Sequence, residues 1–174
     1  MKKMLLISLL LATALLLSAQ DRLIFSAGYG TADIGKNEHE IYDFRLVGKN
    51  PTTIIALNYS YLFYQEAAES DFISERVTDS FVNEVSLQLG RSFGFGNYSS
   101  LSLSTGIGLL FLKEEYNNSQ PLLPEETSKD FSFPLVSSLY IGLLKNVGIS
   151  LHAKKSYNDI AEYFSYSIAL DLIF

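Results

Sequence analysis

The chain has 174 residues, 48% of them hydrophobic and none of them cysteine, with 13 Lys and Arg against 19 Asp and Glu. The lack of Cys excludes disulfides, thiolate metal sites and a lipid-modified N-terminal cysteine. Two of the 13 basic residues, Lys2 and Lys3, fall in the leader described next, which leaves 11 against 19 and a net charge of about −8, a balance that argues against nucleic acid as a partner.

Met1 to Gln20 reads as a secretory signal peptide, with Lys2 and Lys3, an apolar run from Met4 to Leu17, then the small pair Ser18 and Ala19. The run is shorter than the roughly 20 apolar residues of a transmembrane helix, and Asp21 and Arg22 follow closely. Cleavage is expected after Ala19, and residues 21–174 are expected to form one domain.

Beyond the leader the dominant signal is alternation with period two, which marks strands with two distinct faces. The first runs about Leu23 to Ile34, with Leu23, Phe25, Ala27 and Tyr29 on one face and Ile24, Ser26, Gly28 and Gly30 on the other. Lys36-Asn37-Glu38-His39-Glu40 reads as a connection, after which Tyr42, Phe44 and Leu46 oppose Asp43, Arg45 and Val47. Gly48-Lys49-Asn50-Pro51 turns the chain tightly into a third strand, Thr53 to Tyr64, where Ile55, Leu57, Tyr59, Tyr61 and Phe63 oppose Ile54, Ala56, Asn58, Ser60 and Leu62. An acidic connection follows from Gln65 to about Asp79.

The fourth strand sets Phe81, Val85, Leu87 and Leu89 against Val82, Glu84, Ser86, Gln88 and Gly90, with Asn83 as an outward exception, and Gly94-Phe95-Gly96-Asn97 turns it. In the fifth, Leu101, Leu103, Ile107, Leu109 and Phe111 oppose Ser100, Ser102, Ser104, Gly106 and Gly108, an inner face expected to be almost free of bulk. The longest connection, Lys113 to Asp130, leads to a sixth strand with Phe131, Phe133, Leu135, Leu139 and Ile141 outward. Pro134 removes a ladder donor, so a bulge or an unpaired position is expected near it. After Lys145-Asn146 the seventh strand puts Val147, Ile149, Leu151 and Ala153 against Gly148, Ser150, His152 and Lys154, and Ser156 to Asp159 leads into the last, Ile160 to Phe174. There Phe164, Tyr166, Ile168, Leu170, Leu172 and Phe174 share one face, opposite Tyr163, Ser165, Ser167, Ala169, Asp171 and Ile173.

These are eight antiparallel strands, with short turns after the second, fourth and sixth and longer polar connections after the first, third and fifth; the connection after the seventh is scarcely longer than a turn. One face is continuously Leu, Ile, Val, Phe and Tyr over the 9–11 residues that a tilted strand needs to cross a hydrocarbon core. The other is mostly Ser, Gly, Ala and Asn with a few charges, too small and polar for a hydrophobic core. A secreted lipocalin-type barrel has the opposite facing. Tyr59, Tyr61 and Phe63, and Phe93, Phe95 and Tyr98, stand where interfacial aromatic girdles are expected.

The alternating last strand ending on Phe174 and the loop asymmetry resemble the small eight-stranded outer-membrane β-barrel proteins of Gram-negative bacteria, over all of residues 21–174. The resemblance implies an up-and-down transmembrane barrel with both termini in the periplasm, surrounded by outer-membrane lipid. It also implies that Phe164, Tyr166, Leu170, Leu172 and Phe174 present the signal read by the barrel assembly machinery. The ending Ser18-Ala19-Gln20 is similar to signal peptides of Bacteroidota.

Candidates for chemistry are few. His152, Ser156 and Glu162, with Lys154 nearby, resemble the His, Ser and Glu set of barrel-borne lipid A deacylases. In that family, however, a serine lies two residues after the histidine, where this chain has Lys154, and Ser156 is about 13 Å from His152 along an extended strand. Asp43, Arg45, Glu84 and Lys154 share the polar face with His152 and are expected to pair there, because unpaired buried charges cost several kcal/mol each. Such pairs would plug a lumen that eight strands leave just wide enough for side chains. Gly28-Tyr29-Gly30 and Gly94-Phe95-Gly96 lack the strand-to-helix setting of a phosphate loop. The acidic connections, solvated, bridging cations or facing a basic surface partner, lack the spacing of a dedicated calcium loop. No cofactor is expected. The leading reading is a non-enzymatic outer-membrane protein with a structural or surface-interaction role; the alternatives are a membrane-embedded lipid A-modifying enzyme and a soluble lipocalin-like binder.

Overall fold

Alternation of apolar and small polar residues gives every strand two unlike faces, and the sheet curls on itself so that the small polar face is enclosed. The computed structural model describes residues 21–34, 37–67, 77–95, 98–116 and 126–174, so the signal-peptide reading of residues 1–20 lies outside them. The strands are β1 (Arg22–Ile34), β2 (Asn37–Lys49), β3 (Thr53–Ala67), β4 (Val77–Gly94), β5 (Ser99–Tyr116), β6 (Glu126–Leu144), β7 (Val147–Tyr157) and β8 (Tyr163–Ile173). Each pairs antiparallel with the next, and β1 pairs with β8 from Ile24↔Ile173 to Ile34↔Tyr163, closing the barrel. Main-chain bonds between Leu23 and Phe174, at 2.8 and 3.3 Å, extend that seam to the end of the chain.

The short turns lie where the sequence places them. Asn50 braces the first, its side-chain oxygen accepting from the backbone N–H of Thr52 (3.2 Å) and Thr53 (2.7 Å). The longer connections are shorter than the composition suggests. β2 begins at Asn37, and the ladder continues through Gln65↔Asp79, Ala67↔Val77, Thr78↔Tyr116 and Glu114↔Glu126. Polar side chains mark where the wall meets water, whereas the ladder is made by main-chain groups that are indifferent to them. Lys113 and Lys129 accordingly lie in paired strand, opposite Thr127 and Phe111, rather than in a free loop.

Near Pro134 the β5–β6 ladder passes from Thr105↔Leu135 to Gly108↔Ser132 without the two intervening pairs and without a change of register. The missing donor thus yields an unpaired position. A register shift occurs instead at Gly142/Leu144, beside the turn into β7.

Facing follows the period-two reading on all eight strands, and the interior holds more bulk than expected. Beyond Gly108 the inner face of β5 carries Leu110 and Leu112, which join Ala32, Ile41, Leu62, Val82, Ala161 and Tyr163 in a buried cluster at the end of the long connections. Ile24, Val47, Ile54 and Ala56 form a second cluster at the short-turn end. Two apolar plugs therefore bracket a polar middle. Where neighbouring strands touch closely, glycine is required: a Cβ on Gly106 would meet the Leu87 carbonyl oxygen and come within 2.8 Å of Gln88 Cα, whereas one on Gly94 would meet nothing within 4 Å. We therefore expect Gly106→Ala to lower stability by about 1–3 kcal/mol through overpacking and Gly94→Ala to stay within about 0.5 kcal/mol in urea titrations of the refolded barrel. Equal effects at the two positions would contradict the packing described.

Candidate functional site

Every second side chain of each strand enters the barrel, and most of those arriving between the two apolar clusters are charged, hydroxylic or amide groups. Asp43, Arg45, Glu84, His152 and Lys154 all face inward and are at most 7% exposed. They divide into two networks. Lys154 on β7 stands 3.2 Å from Glu84 Oε1 on β4, donates to Ser60 Oγ at 2.7 Å and lies 5.0 Å from the centre of the Tyr163 ring. Glu84 Oε2 accepts from Ser156 (2.6 Å) and from the Tyr163 hydroxyl (2.8 Å). Ser60 donates onward to Asp43 at 2.5 Å, and Ser167 donates to the other Asp43 oxygen at 2.9 Å.

The second network is built on Arg45. Its Nη1 donates to Ser138 Oγ at 2.8 Å and to His152 Nδ1 at 3.0 Å, and its Nη2 reaches Gln88 Oε1 at 3.4 Å. Among the described residues Arg45 and Asp43 form no ion pair, so the expectation that all four charges pair holds for Lys154 and Glu84 alone. The reason is geometric: two residues apart on β2, Asp43 and Arg45 point the same way about 7 Å apart, and the serine hydroxyls around each are closer.

Asp171 belongs to this interior too, 1% exposed and accepting from Ser26 and Ser150. Sequence reasoning put it on the inner face and left it out of the charge cluster; its parity on the last strand was the available signal. Gln88, which accepts from Ser104 and donates to Ser86, carried the same signal in its parity on the fourth strand.

The residues of the deacylase comparison are not brought together. His152 Nδ1 is engaged by Arg45 and Ser138, Ser156 donates to Glu84, and Glu162 pairs with Lys155 at 2.7 Å, half exposed. A serine whose proton is given to a carboxylate network away from the histidine is not set up as a nucleophile. Among the described residues no three His, Asp or Glu side chains converge as a metal site. On the outside, Asn83, the polar exception of β4, accepts from the Tyr59 hydroxyl at 2.7 Å, which pairs the hydroxyl with the amide oxygen on the apolar face.

Breaking a buried ion pair on one side leaves an uncompensated charge, so Lys154→Met should cost about 3–5 kcal/mol. Glu84→Gln with Lys154→Met should cost less than the sum of the two single changes. A strictly additive double-mutant cycle in unfolding titrations would show that the two side chains do not interact.

No protein-family profile and no curated protein matches the chain. Solved structures do. Ail, the attachment invasion locus protein of Yersinia pestis, is 15% identical with a TM-score of 0.62, covering 89% of this chain and 99% of Ail; a second Ail structure, 14% identical over 88% of this chain and 97% of Ail with a TM-score of 0.62, is a complex with the heparin analogue sucrose octasulfate. Neisserial surface protein A is 10% identical with a TM-score of 0.67, covering 88% of this chain and 96% of that one. At such identities the likeness is one of fold, and the fold this chain shares is the closed, eight-stranded antiparallel barrel of small outer-membrane proteins.

Proposed function

We propose that the chain is an integral outer-membrane protein with a structural or surface-interaction role and no catalytic activity, exported with residues 1–20 as its signal peptide. The observation that carries this reading is the outer surface. Leu89, Ile107, Phe131, Ile168 and Leu170, spread over four strands, are 53–66% exposed, and soluble monomers rarely leave apolar patches beyond a few hundred Å² uncovered. Lipid is the solvent that suits such a belt. Aromatic rings flank it at both ends. Tyr29, Tyr42, Tyr61, Phe81 and Phe63 form a chain of ring contacts of 5.2–6.4 Å toward the long connections, while Phe93, Phe95 and Tyr98 are exposed at the short turns.

The separation of His152, Ser156 and Glu162 supports the absence of lipid chemistry, and the outward apolar face speaks against a lipocalin-like binder. The two ends of the described barrel, Arg22 beside Lys49 and Phe174 beside Leu23, lie at the short-turn end, which on this reading is periplasmic. Phe164, Tyr166, Leu170, Leu172 and Phe174 then offer an outward row to the assembly machinery, and the Ser18-Ala19-Gln20 ending supports a source among the Bacteroidota. The long connections would face outward from the cell. Their acidic composition, with Glu69, Asp71 and Glu75 in one and Glu125 in another, suits a basic surface partner rather than a polyanion such as the one bound to Ail.

Three outcomes test the proposal. The protein should fractionate with the outer membrane and run at a different mobility before and after boiling. Ile107→Arg, near mid-wall, should destabilise the lipid-refolded barrel by about 2–4 kcal/mol, as charges at a bilayer midplane do. An epitope inserted after Asn118 should be reached by antibody on intact cells, and one inserted between Lys145 and Asn146 only after the envelope is opened. Recovery as a soluble periplasmic monomer, or an Ile107→Arg variant of parental stability, would overturn the membrane reading; the reverse epitope pattern would invert the topology.

Removal of Phe174 should lower insertion in cells. Unchanged outer-membrane levels of the truncated chain would remove the assembly role from the last strand.

A further inference from the structure

Between the Arg45 network and the short-turn cluster lies a cavity of about 40 Å³, walled by Arg45, His152, Lys49 and Asp171 and by serine hydroxyls including Ser100 and Ser102. Two of its wall residues carry buried nitrogens without a partner among the described residues, Arg45 Nε and His152 Nε2. Both are donors. A guanidinium has no acceptor, so His152 Nδ1 must accept from Arg45 Nη1, and in a neutral imidazole that places the hydrogen on Nε2. Lys49 adds a third donor group, held by Ser100 at 2.7 Å and lying 5.7 Å from the Tyr140 ring centre at the mouth. The acceptor on the wall, Asp171, is already engaged by Ser26 and Ser150. Arg45 and Lys49 against Asp171 leave the wall one positive charge in excess.

Unmet donors, a local excess of positive charge and a small volume together point to an occupant. From these we infer that the short-turn half of the barrel binds one halide-sized anion, chloride in ordinary media, between Arg45, His152 and Lys49. A halide accepts from several donors at once, and hydrogen bonds in which one partner is ionised are the strong ones. The space, about 40 Å³, admits a halide with one or two waters, since each water-sized occupant needs roughly 10–15 Å³. Water alone would meet the donors and leave the charge. The inference rests on the interior and is independent of whether the barrel lies in a membrane.

The test uses the refolded barrel in detergent. Urea unfolding is followed in sodium chloride, bromide and gluconate at equal ionic strength, and crystals grown in bromide are examined for anomalous scattering. Halide should lower the unfolding constant progressively, by about tenfold once its concentration reaches ten times the dissociation constant, with a bromide peak within hydrogen-bond distance of Arg45 Nε. Arg45→Met should abolish the halide dependence. If that variant does not fold, Lys49→Gln, at the half-exposed mouth, should weaken it at least several-fold. Lys129→Gln, the same loss of charge on the outer wall, should leave it unchanged. Equal stability in gluconate and chloride, a halide effect retained in Lys49→Gln, or no bromide peak at Arg45 would each overturn the inference and assign the cavity to water.

Discussion

Closure of the main-chain ladder between β1 and β8 is the constraint on which the rest of this protein depends. An open sheet of these strands would leave two rows of unpaired N–H and C=O groups and a sheet with no defined inside. Once Ile24 to Ile34 pair with Ile173 to Tyr163, each residue must point either into the barrel or away from it. A one-residue slip anywhere would exchange the two faces. The seam joins the two ends of the described chain, so contacts of high sequence separation, such as Ser26 with Asp171, are laid down only when the ring closes.

Closure also dictates what the interior must be. Eight strands enclose a space that side chains nearly fill, and here the filling is layered. The cluster around Leu62, Val82 and Leu110 occupies one end and that around Ile54 and Ala56 the other. The apolar layers keep bulk water from the Lys154–Glu84 pair, and a pair so placed is held by the hydroxyls of Ser60, Ser156 and Tyr163 as much as by its own attraction. Serine suits this interior because it is small enough for the crowded wall and can turn its hydroxyl toward either sign of charge.

The two polar networks differ in character. The one near the long connections has two carboxylates and one ammonium, knitted through Ser60. The one near the short turns has a guanidinium without a carboxylate partner among the described residues, a histidine with one nitrogen unpartnered among them and a half-buried lysine. Opposite excesses at the two levels give the filled barrel an internal polarity along its axis. Outside, polar atoms within the apolar wall are handled pairwise, as Tyr59 with Asn83 and Tyr29 with Glu40 show.

Period two, which depends only on the covalent alternation of Cβ directions along a strand, let the sequence by itself determine the number of strands, their order, the outward set from Phe25 to Leu172 and the inward placement of Asp43, Arg45, Glu84, His152, Lys154 and Asp171. It also located the short turns, because Asn50-Pro51 and Lys145-Asn146 impose local geometry. What only the tertiary structure decided is how far the strands run past their apolar stretches and which inward residues meet. The first depends on main-chain bonds that polar side chains such as Glu114 and Glu126 do not interrupt. The second depends on the stagger of the closed barrel, which sets the height of Lys154 against Glu84 rather than Asp43 and leaves Arg45 facing Ser138 and His152. Parity along one strand carries no information about height across the ring, and height is what chooses partners.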